Sequence, residues 1–102
     1  MAMFAVTMVN GPRYDRSRER REQDGWDQHA AFMDALVEDG FVVLGGPIGD
    51  GEQTLTIVET ADEDELRRRY GEDPWKAMGI LEIGEVRPWT IWLDGRGRVT
   101  AS

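Results

Sequence analysis

The sequence predicts an α+β domain in which two helices cover one face of a four-stranded antiparallel sheet. Four short segments are apolar at alternating positions or throughout, which is typical of strands. Between them lie two stretches with the spacing of amphipathic helices. The segments follow the order β-α-β-β-α-β, the split βαβ or ferredoxin-like arrangement. The length of 102 residues fits one such domain.

The bounds of these elements follow from periodicity and from helix-end signals. Gly40 follows the first helical stretch, and Asp62 or Thr60 can cap the second. The expected elements, in order, are a strand at Ala2–Val9, a helix at Asp24–Asp39, strands at Phe41–Leu44 and Gln53–Thr60, a helix at Asp62–Tyr70, a short helical turn after Asp73-Pro74, and a strand at Ile80–Leu93.

Turn residues separate the strands. Gly45-Gly46-Pro47 is expected to close the second strand, and Asp50-Gly51 marks a hairpin. Pro88 predicts an edge position or a bulge in the last strand, because proline cannot donate to the ladder. The domain is expected to span residues 1–94, and residues 95–102 are expected to form a flexible tail.

Charge and residue content exclude several classes of function. Twenty acidic and twelve basic residues give a net charge of −8, which argues against a nucleic-acid partner. Arg13 to Arg21 is interrupted by acidic residues, which favours a mixed-charge loop over a polyanion site. One histidine and no cysteine argue against a zinc site, and we expect neither metal nor cofactor. Without a membrane-spanning run or a signal peptide, we expect a cytoplasmic protein with no membrane partner.

The second face of the predicted sheet needs a cover. Two helices cover one side only, yet Ala2–Val9 and Phe41–Leu44 are apolar on both sides, and Trp89, Ile91 and Trp92 crowd the last strand. A second copy of the chain, packed sheet to sheet, is the simplest cover. The sequence therefore predicts a homodimer.

His29 is the only histidine, and it lies on the apolar face of the first helix. A carboxylate that binds one imidazole nitrogen fixes the tautomer and stabilises the imidazolium, which makes a general acid/base pair. Asp73, in Asp73-Pro74-Trp75, is the candidate partner. The plainer alternative is a buried structural histidine and an aspartate that only caps a helix. A cap and a dyad member are not exclusive, since a carboxylate has two oxygens.

Several short motifs together resemble, in order and spacing, the YCII-related (YciI-like) family over residues 2–93. They are Arg21-Glu22-Gln23, Gly25-Trp26-Asp27-Gln28-His29-Ala30-Ala31-Phe32, Gly40-Phe41-Val42-Val43-Leu44-Gly45-Gly46-Pro47, Asp73-Pro74-Trp75 and Pro88-Trp89. The resemblance implies a dimeric α+β barrel with a proposed active site at His29 and Asp73. The family often has Tyr or Phe after the proline, so Trp75 changes the expected pocket wall.

Four further residues are candidates for binding a substrate. Arg21 could hold a carboxylate bidentately, and the turn at Gly46 and Pro47 could bring backbone close to a ligand. Trp75 could stack on an aromatic ring. Each has a plainer alternative: a solvated arginine, a simple chain turn, and packing in the core or dimer interface.

The expected partner is a small molecule. As a base, His29 would remove a proton next to a carbonyl, as in isomerisation, halide elimination or lactone chemistry on a small cyclic substrate. The resemblance extends to barrels that include muconolactone isomerase-like enzymes and a dehydrochlorinase of a chlorinated hydroxyquinol. The alternative is a non-catalytic ligand-binding or accessory domain of the same fold. A haem-degrading or monooxygenase-like barrel is a third alternative, on fold analogy alone.

Overall fold

One antiparallel sheet and three α-helices form the computed structural model, which describes residues 1–96. In chain order the elements are β1 (Ala2–Asn10), a 3₁₀ turn (Arg20–Glu22), α1 (Trp26–Glu38), β2 (Val42–Ile48), β3 (Gln53–Thr60), α2 (Glu63–Tyr70), α3 (Pro74–Ala77) and β4 (Leu81–Pro88). The strand order is β2-β3-β1-β4, so β1 and β3 are central. The predicted α+β ferredoxin-like fold is confirmed.

The core lies between the helices and one face of the sheet. Phe4, Val6 and Met8 alternate along β1 and are all buried on this face, where Phe4 pairs with Val58 of β3. The helices contribute apolar side chains from the opposite side of the core, and these are Leu36, Leu66, Tyr70 and Trp75. Because Leu66 and Tyr70 are the only buried residues of α2, this helix covers the sheet with a narrow apolar stripe.

Local signals account for the helix ends. At the end of α1 the Phe41 N–H donates to Leu36 and the Gly40 N–H to Val37, which is a Schellman motif. Gly40 has a φ of 79°, a conformation that glycine adopts without a Cβ penalty. Of the two predicted caps for α2, the structure uses Asp62, whose side chain accepts the Glu65 N–H at 2.8 Å.

Two predicted strand bounds are wrong. Gly45-Gly46-Pro47 does not close β2, because Gly46 and Pro47 still pair with Leu55 and Thr54 of β3. A strand at the edge of a sheet has no neighbour on its outer side. A proline there therefore need not remove a hydrogen bond that the sheet requires. The last strand ends at Pro88 instead of reaching Leu93. β4 is an edge strand, and its pairing with β1 shifts register between Val6 and Met8, as Pro88 predicted.

The sheet face that points away from the helices, which we call the open face, is apolar. Leu44, Ala5 and Ile57 are neighbours across three strands on this face. Trp89 and Ile91, which follow β4, lie over part of it and line a cavity together with Leu44 and Ile57. Leu44 is 49% exposed and Trp89 44% exposed, so the segment after β4 covers this face incompletely. Residues 97–102 of the predicted tail lie outside the described residues.

Candidate functional site

α1 and α3 bring His29 and Asp73 into contact across 44 positions of sequence. His29 Nδ1 lies 3.0 Å from Asp73 Oδ1 and 2.9 Å from Oδ2, so one ring nitrogen meets both carboxylate oxygens. The whole residues are 7% and 3% exposed. Charge-assisted hydrogen bonds of this length are strong, and burial removes competing water.

The aspartate has two roles at once. Asp73 is the N-cap of α3, where its Oδ1 accepts the Trp75 backbone N–H at 2.9 Å and Pro74 occupies the first helical position. The same carboxylate contacts the imidazole. The cap fixes the side-chain rotamer of Asp73, so the short helix also aims the carboxylate at His29.

Aromatic rings enclose the imidazole. The Trp75 indole is stacked on the His29 ring, with centroids 4.0 Å apart and planes 5° apart. Trp26, one turn before His29, is tilted by about 50° against both rings. We call Trp26, His29, Asp73 and Trp75 the imidazole cluster. Trp26 is half-buried while Trp75 is fully buried, so Trp26 is the tryptophan of the cluster that reaches the surface.

The second imidazole nitrogen of His29, Nε2, has no hydrogen-bond partner within residues 1–96. An ionised carboxylate only accepts hydrogen bonds, so Nδ1 is the donor in the pair and Nε2 of a neutral ring carries the lone pair. Over residues 1–96, the hydrogen bonds of the His29 ring involve Nδ1 alone, and no fully buried side-chain N or O lacks a partner. Nε2 therefore keeps some contact with the surface.

Tyr70, a buried tyrosine of α2, makes a further polar contact in the core. The Tyr70 hydroxyl lies 2.7 Å from Thr56 Oγ1 in the core. Burial raises the pKa of Tyr70 to about 12, against the effect of the Thr56 hydrogen bond and with a smaller contribution from the charge of Asp73. The phenol is neutral near pH 7, and its hydrogen bond satisfies a buried threonine.

The other predicted binding residues lie apart from this cluster. The ring contacts and side-chain hydrogen bonds of His29 within the described chain involve Trp26, Trp75 and Asp73, but not Arg21, Gly46 or Pro47. Arg21 is exposed on the 3₁₀ turn. Gly46 lies on edge strand β2, and Pro47 lines a separate cavity. Trp75 contacts the dyad, but its full burial leaves it no surface for a substrate.

A polar loop lines a cavity of its own. Residues 13–23, which we call the arginine loop, line about 650 Å³ together with Pro47 and the β2–β3 hairpin. Two of its arginines form ion pairs, since Arg16 contacts Glu52 and Arg18 contacts Asp24, both at 3.3 Å. Neither His29 nor Asp73 lines this cavity. This cavity and the dyad therefore lie in different places.

Gln23 holds the arginine loop in shape, a role that the sequence did not indicate. Its side chain is buried, with Oε1 accepting the Asp15 N–H at 2.9 Å and Nε2 donating to the Asp15 carbonyl at 2.7 Å. Nε2 also donates to the Arg18 carbonyl. Hydrogen bonds from the Ser17 hydroxyl and N–H lower the pKa of Asp15. No local periodicity or motif marks such a glutamine.

Two absences hold for residues 1–96. No group of three or more His, Cys, Asp or Glu side chains there is arranged to hold a metal ion. No helix in the same range has the length and apolar content needed to cross a bilayer.

Known proteins resemble this chain in sequence pattern and in structure. The YCII-related domain matches residues 3–90. The chain belongs to the YCII-related family. Among solved structures, 5-chloro-2-hydroxyhydroquinone dehydrochlorinase (TftG) from Burkholderia phenoliruptrix AC1100, in complex with 2,5-dihydroxybenzoquinone, superposes with a TM-score of 0.65. It is 23% identical to this YCII-related chain, over 86% of this chain and 93% of TftG, which shows a shared fold. No curated protein matches.

Proposed function

We propose that this YCII-related chain catalyses proton transfer on a small cyclic substrate, with His29 as the general base and Asp73 as its orienting partner. The contact between His29 Nδ1 and both oxygens of Asp73, at 3.0 and 2.9 Å, carries the proposal. Because the carboxylate occupies Nδ1, the lone pair on Nε2 is the one that a substrate can meet.

Proton abstraction is the step that isomerisation and halide elimination share. Nε2 of His29 takes a proton from a carbon next to a carbonyl, and the C–H electron pair forms an enolate. Asp73 stabilises the imidazolium that results. If the proton returns to another carbon, the product is an isomer. If the enolate expels a halide from the neighbouring carbon, the net change is loss of one proton and one halide ion.

The similarity to TftG suggests which compounds to assay first. The name of that protein describes the removal of HCl from 5-chloro-2-hydroxyhydroquinone, and its bound molecule is a quinone. In a keto tautomer of this compound, a proton has been added to the ring carbon that carries chlorine. A histidine base can then remove the proton of the ring hydroxyl conjugated with that carbon, and the O–H electron pair forms a carbonyl as chloride leaves. Trp26, the accessible ring beside His29, could stack on a planar six-membered ring. We therefore propose hydroxylated or halogenated six-membered rings as the substrate class.

The test measures chloride release from 5-chloro-2-hydroxyhydroquinone, corrected for the spontaneous reaction. Loss of HCl leaves hydroxybenzoquinone, whose absorbance gives a second readout. We expect turnover by the wild-type protein to fall at least about 10²-fold in His29→Ala, the lower end of what general acid–base catalysis contributes. Gln28→Ala, at the exposed neighbouring position of α1, is the matched control. A wild-type rate in His29→Ala contradicts the proposal.

The second candidate is a non-catalytic domain that binds a small ligand. The close packing of His29, which is 7% exposed, and the position of the arginine-loop cavity apart from the dyad favour it. Titration with 2,5-dihydroxybenzoquinone, followed by NMR, distinguishes the two. Shifts of the His29 and Trp26 resonances without chloride release from the chlorinated compound identify a binding domain.

We also propose that a second copy of the chain covers the open face, giving a homodimer. Exposed Leu44 and Trp89 on this face support the proposal, since a contiguous apolar surface is costly to leave in water. Sedimentation equilibrium is expected to give twice the chain mass of 11.6 kDa. Leu44→Asp should shift the protein toward one chain mass. Val37→Asp, at an exposed apolar position of α1, should not, and one chain mass for the wild type contradicts the proposal.

A further inference from the structure

We infer that Trp75 is a positioning residue: its indole face fixes the plane of the His29 ring while its backbone N–H fixes the Asp73 carboxylate. The inference rests on the proposed function of the dyad and adds a residue to it. Trp75 contacts both members of the pair, through the ring stack at 4.0 Å and the hydrogen bond to Asp73 Oδ1 at 2.9 Å.

The indole is itself held rigidly. Its Nε1 donates to the Asp24 carbonyl at 2.8 Å, just before α1, and the side chain has no exposed surface. The Asp24 carbonyl and His29 lie at the same end of α1, so the hydrogen bond ties the stacking surface to the helix that carries the imidazole. A movement of α3 relative to α1 would have to break this bond.

The stack restricts the rotation on which the dyad depends. If the imidazole turned about its bond to Cβ, Nδ1 would leave the carboxylate and the ring would strike the indole, whose plane lies 5° from its own. Trp26 stands 50° from the imidazole and adds a second boundary. The flat indole face also suits the imidazolium that forms when Nε2 takes a proton, because a cation is stabilised over an aromatic face.

Full burial distinguishes this role from catalysis or substrate binding. A substrate cannot touch an indole with no exposed surface, so Trp75 acts through His29 and Asp73. This assigns a different task to a residue that the sequence suggested as a pocket wall. Within the imidazole cluster, the indole that reaches the surface is that of Trp26. Trp75 therefore serves only to orient the dyad.

Two substitutions of Trp75 separate the effect of its flat aromatic face from the effect of its apolar bulk. Trp75→Phe keeps an aromatic face and loses the indole N–H, whereas Trp75→Leu keeps apolar bulk and loses the face. Both retain the backbone N–H to Asp73. Phe41→Leu is the control for general loosening of the core, because Phe41 is similarly buried and its ring contacts are with Tyr70 and Arg69.

The readout is the tautomer of His29, from ¹⁵N–¹H correlation of the imidazole at a pH at which the ring is neutral. We expect the wild type to carry its proton on Nδ1 alone, and Trp75→Phe to keep that state. Trp75→Leu should populate both tautomers and lose about 10–100-fold in kcat with KM within about two-fold, as misplaced catalytic groups do. Phe41→Leu should keep the wild-type tautomer.

Three results overturn the inference. The first is a wild-type tautomer and kcat in Trp75→Leu, and the second is an equal change in Phe41→Leu. The third needs no variant and applies even if Trp75→Leu does not fold: wild-type imidazole protons at random-coil shifts, where an indole stack displaces them upfield. A His29→Ala protein with full activity overturns the proposed function instead, and leaves these NMR results unaffected.

Discussion

The imidazole cluster and the arginine loop are built in opposite ways. The cluster buries one carboxylate and one imidazole among indole rings, with both carboxylate oxygens on the same nitrogen. The loop encloses about 650 Å³ with exposed arginines, and its ion pairs at Arg16 and Arg18 are solvated. Charges interact more strongly in the buried site, where water does not screen them. The cavity of the arginine loop therefore lies apart from the strongest candidate chemistry.

The difference also lies in what each partner can do. The guanidinium of an arginine stays charged at any physiological pH, so the pairs of the loop hold shape but move no proton. The partner of Asp73 is an imidazole, the side chain most often used as a general acid or base. Proton transfer is the function that we propose for the cluster, and substitutions in each region test this division.

Asp73→Asn is expected to have the largest effect. The amide can still accept the Trp75 N–H, but its NH₂ group can donate to Nδ1 and favour the wrong tautomer of His29. We expect kcat for any ring compound that the wild type turns over to fall about 10²–10⁴-fold. Steady-state kinetics check this, with far-UV circular dichroism to show that the helices persist. A kcat within ten-fold of wild type would remove the dyad from the mechanism.

Tyr70 should give the next largest effect, on stability at high pH. The unfolded phenol loses its proton near pH 10, while the folded one keeps it to about 12. The folded state binds more protons in this window, so stability falls as pH rises through it and is unaffected by Tyr70 below pH 10. The expected loss between pH 9 and pH 11.5 is about 2 kcal/mol. Urea unfolding at pH 9 and at pH 11.5 measures it.

The matched variants for Tyr70 remove the titrating group. Tyr70→Phe should flatten the change between the two pH values, yet cost about 1–3 kcal/mol at pH 7 because the buried Thr56 hydroxyl loses its partner. Adding Thr56→Val should recover most of that cost. An alkaline stability loss that is as steep in Tyr70→Phe as in the wild type would assign the effect to another group.

Gln23→Leu tests the arginine loop alone. The change leaves the backbone groups of Asp15 without their side-chain partners, which is expected to cost about 1–3 kcal/mol. Trypsin should then cleave faster after Arg16 and Arg18, while the imidazole resonances of His29 stay in place. Gln28→Leu, at an exposed position of α1, is the control. Displaced His29 resonances in Gln23→Leu would show that the two regions are coupled.

Arg16→Gln should have the smallest effect. The pair with Glu52 is exposed at both side chains, with relative areas of 67% and 58%, and such pairs contribute less than about 1 kcal/mol. We expect a small loss of stability at low ionic strength, a still smaller one at high ionic strength, and an unchanged kcat. A kcat that falls with this substitution would move the arginine loop into the functional site.

The sequence predicts most of the fold because its signals are local. Alternating apolar residues define β1, and Gly40 ends α1 through backbone hydrogen bonds that need no distant partner. The predicted bound of β2 is wrong because Gly46 and Pro47 stay extended only through pairing with β3.

The candidate site also has features that local sequence signals predict and features that depend on distant contacts. The motifs around His29 and Asp73 point to a pair, and the structure brings the two side chains together. The direction of the Trp75 indole depends on the Asp24 carbonyl 51 positions earlier, so no local pattern could show that it stacks on the histidine. Gln23 binds backbone within its own loop, but nothing in its neighbours distinguishes it from a solvated glutamine.

The separation of 44 positions between His29 and Asp73 links chemistry to the order of assembly. The imidazole belongs to the first βαβ half of the chain and the carboxylate to the second, so a nascent polypeptide that has emerged only as far as β3 holds a histidine with no acid beside it. Closing a contact over such a span is entropically costly until the intervening strands have paired. The contact between His29 and Asp73 is therefore expected to form only after both halves of the sheet have paired.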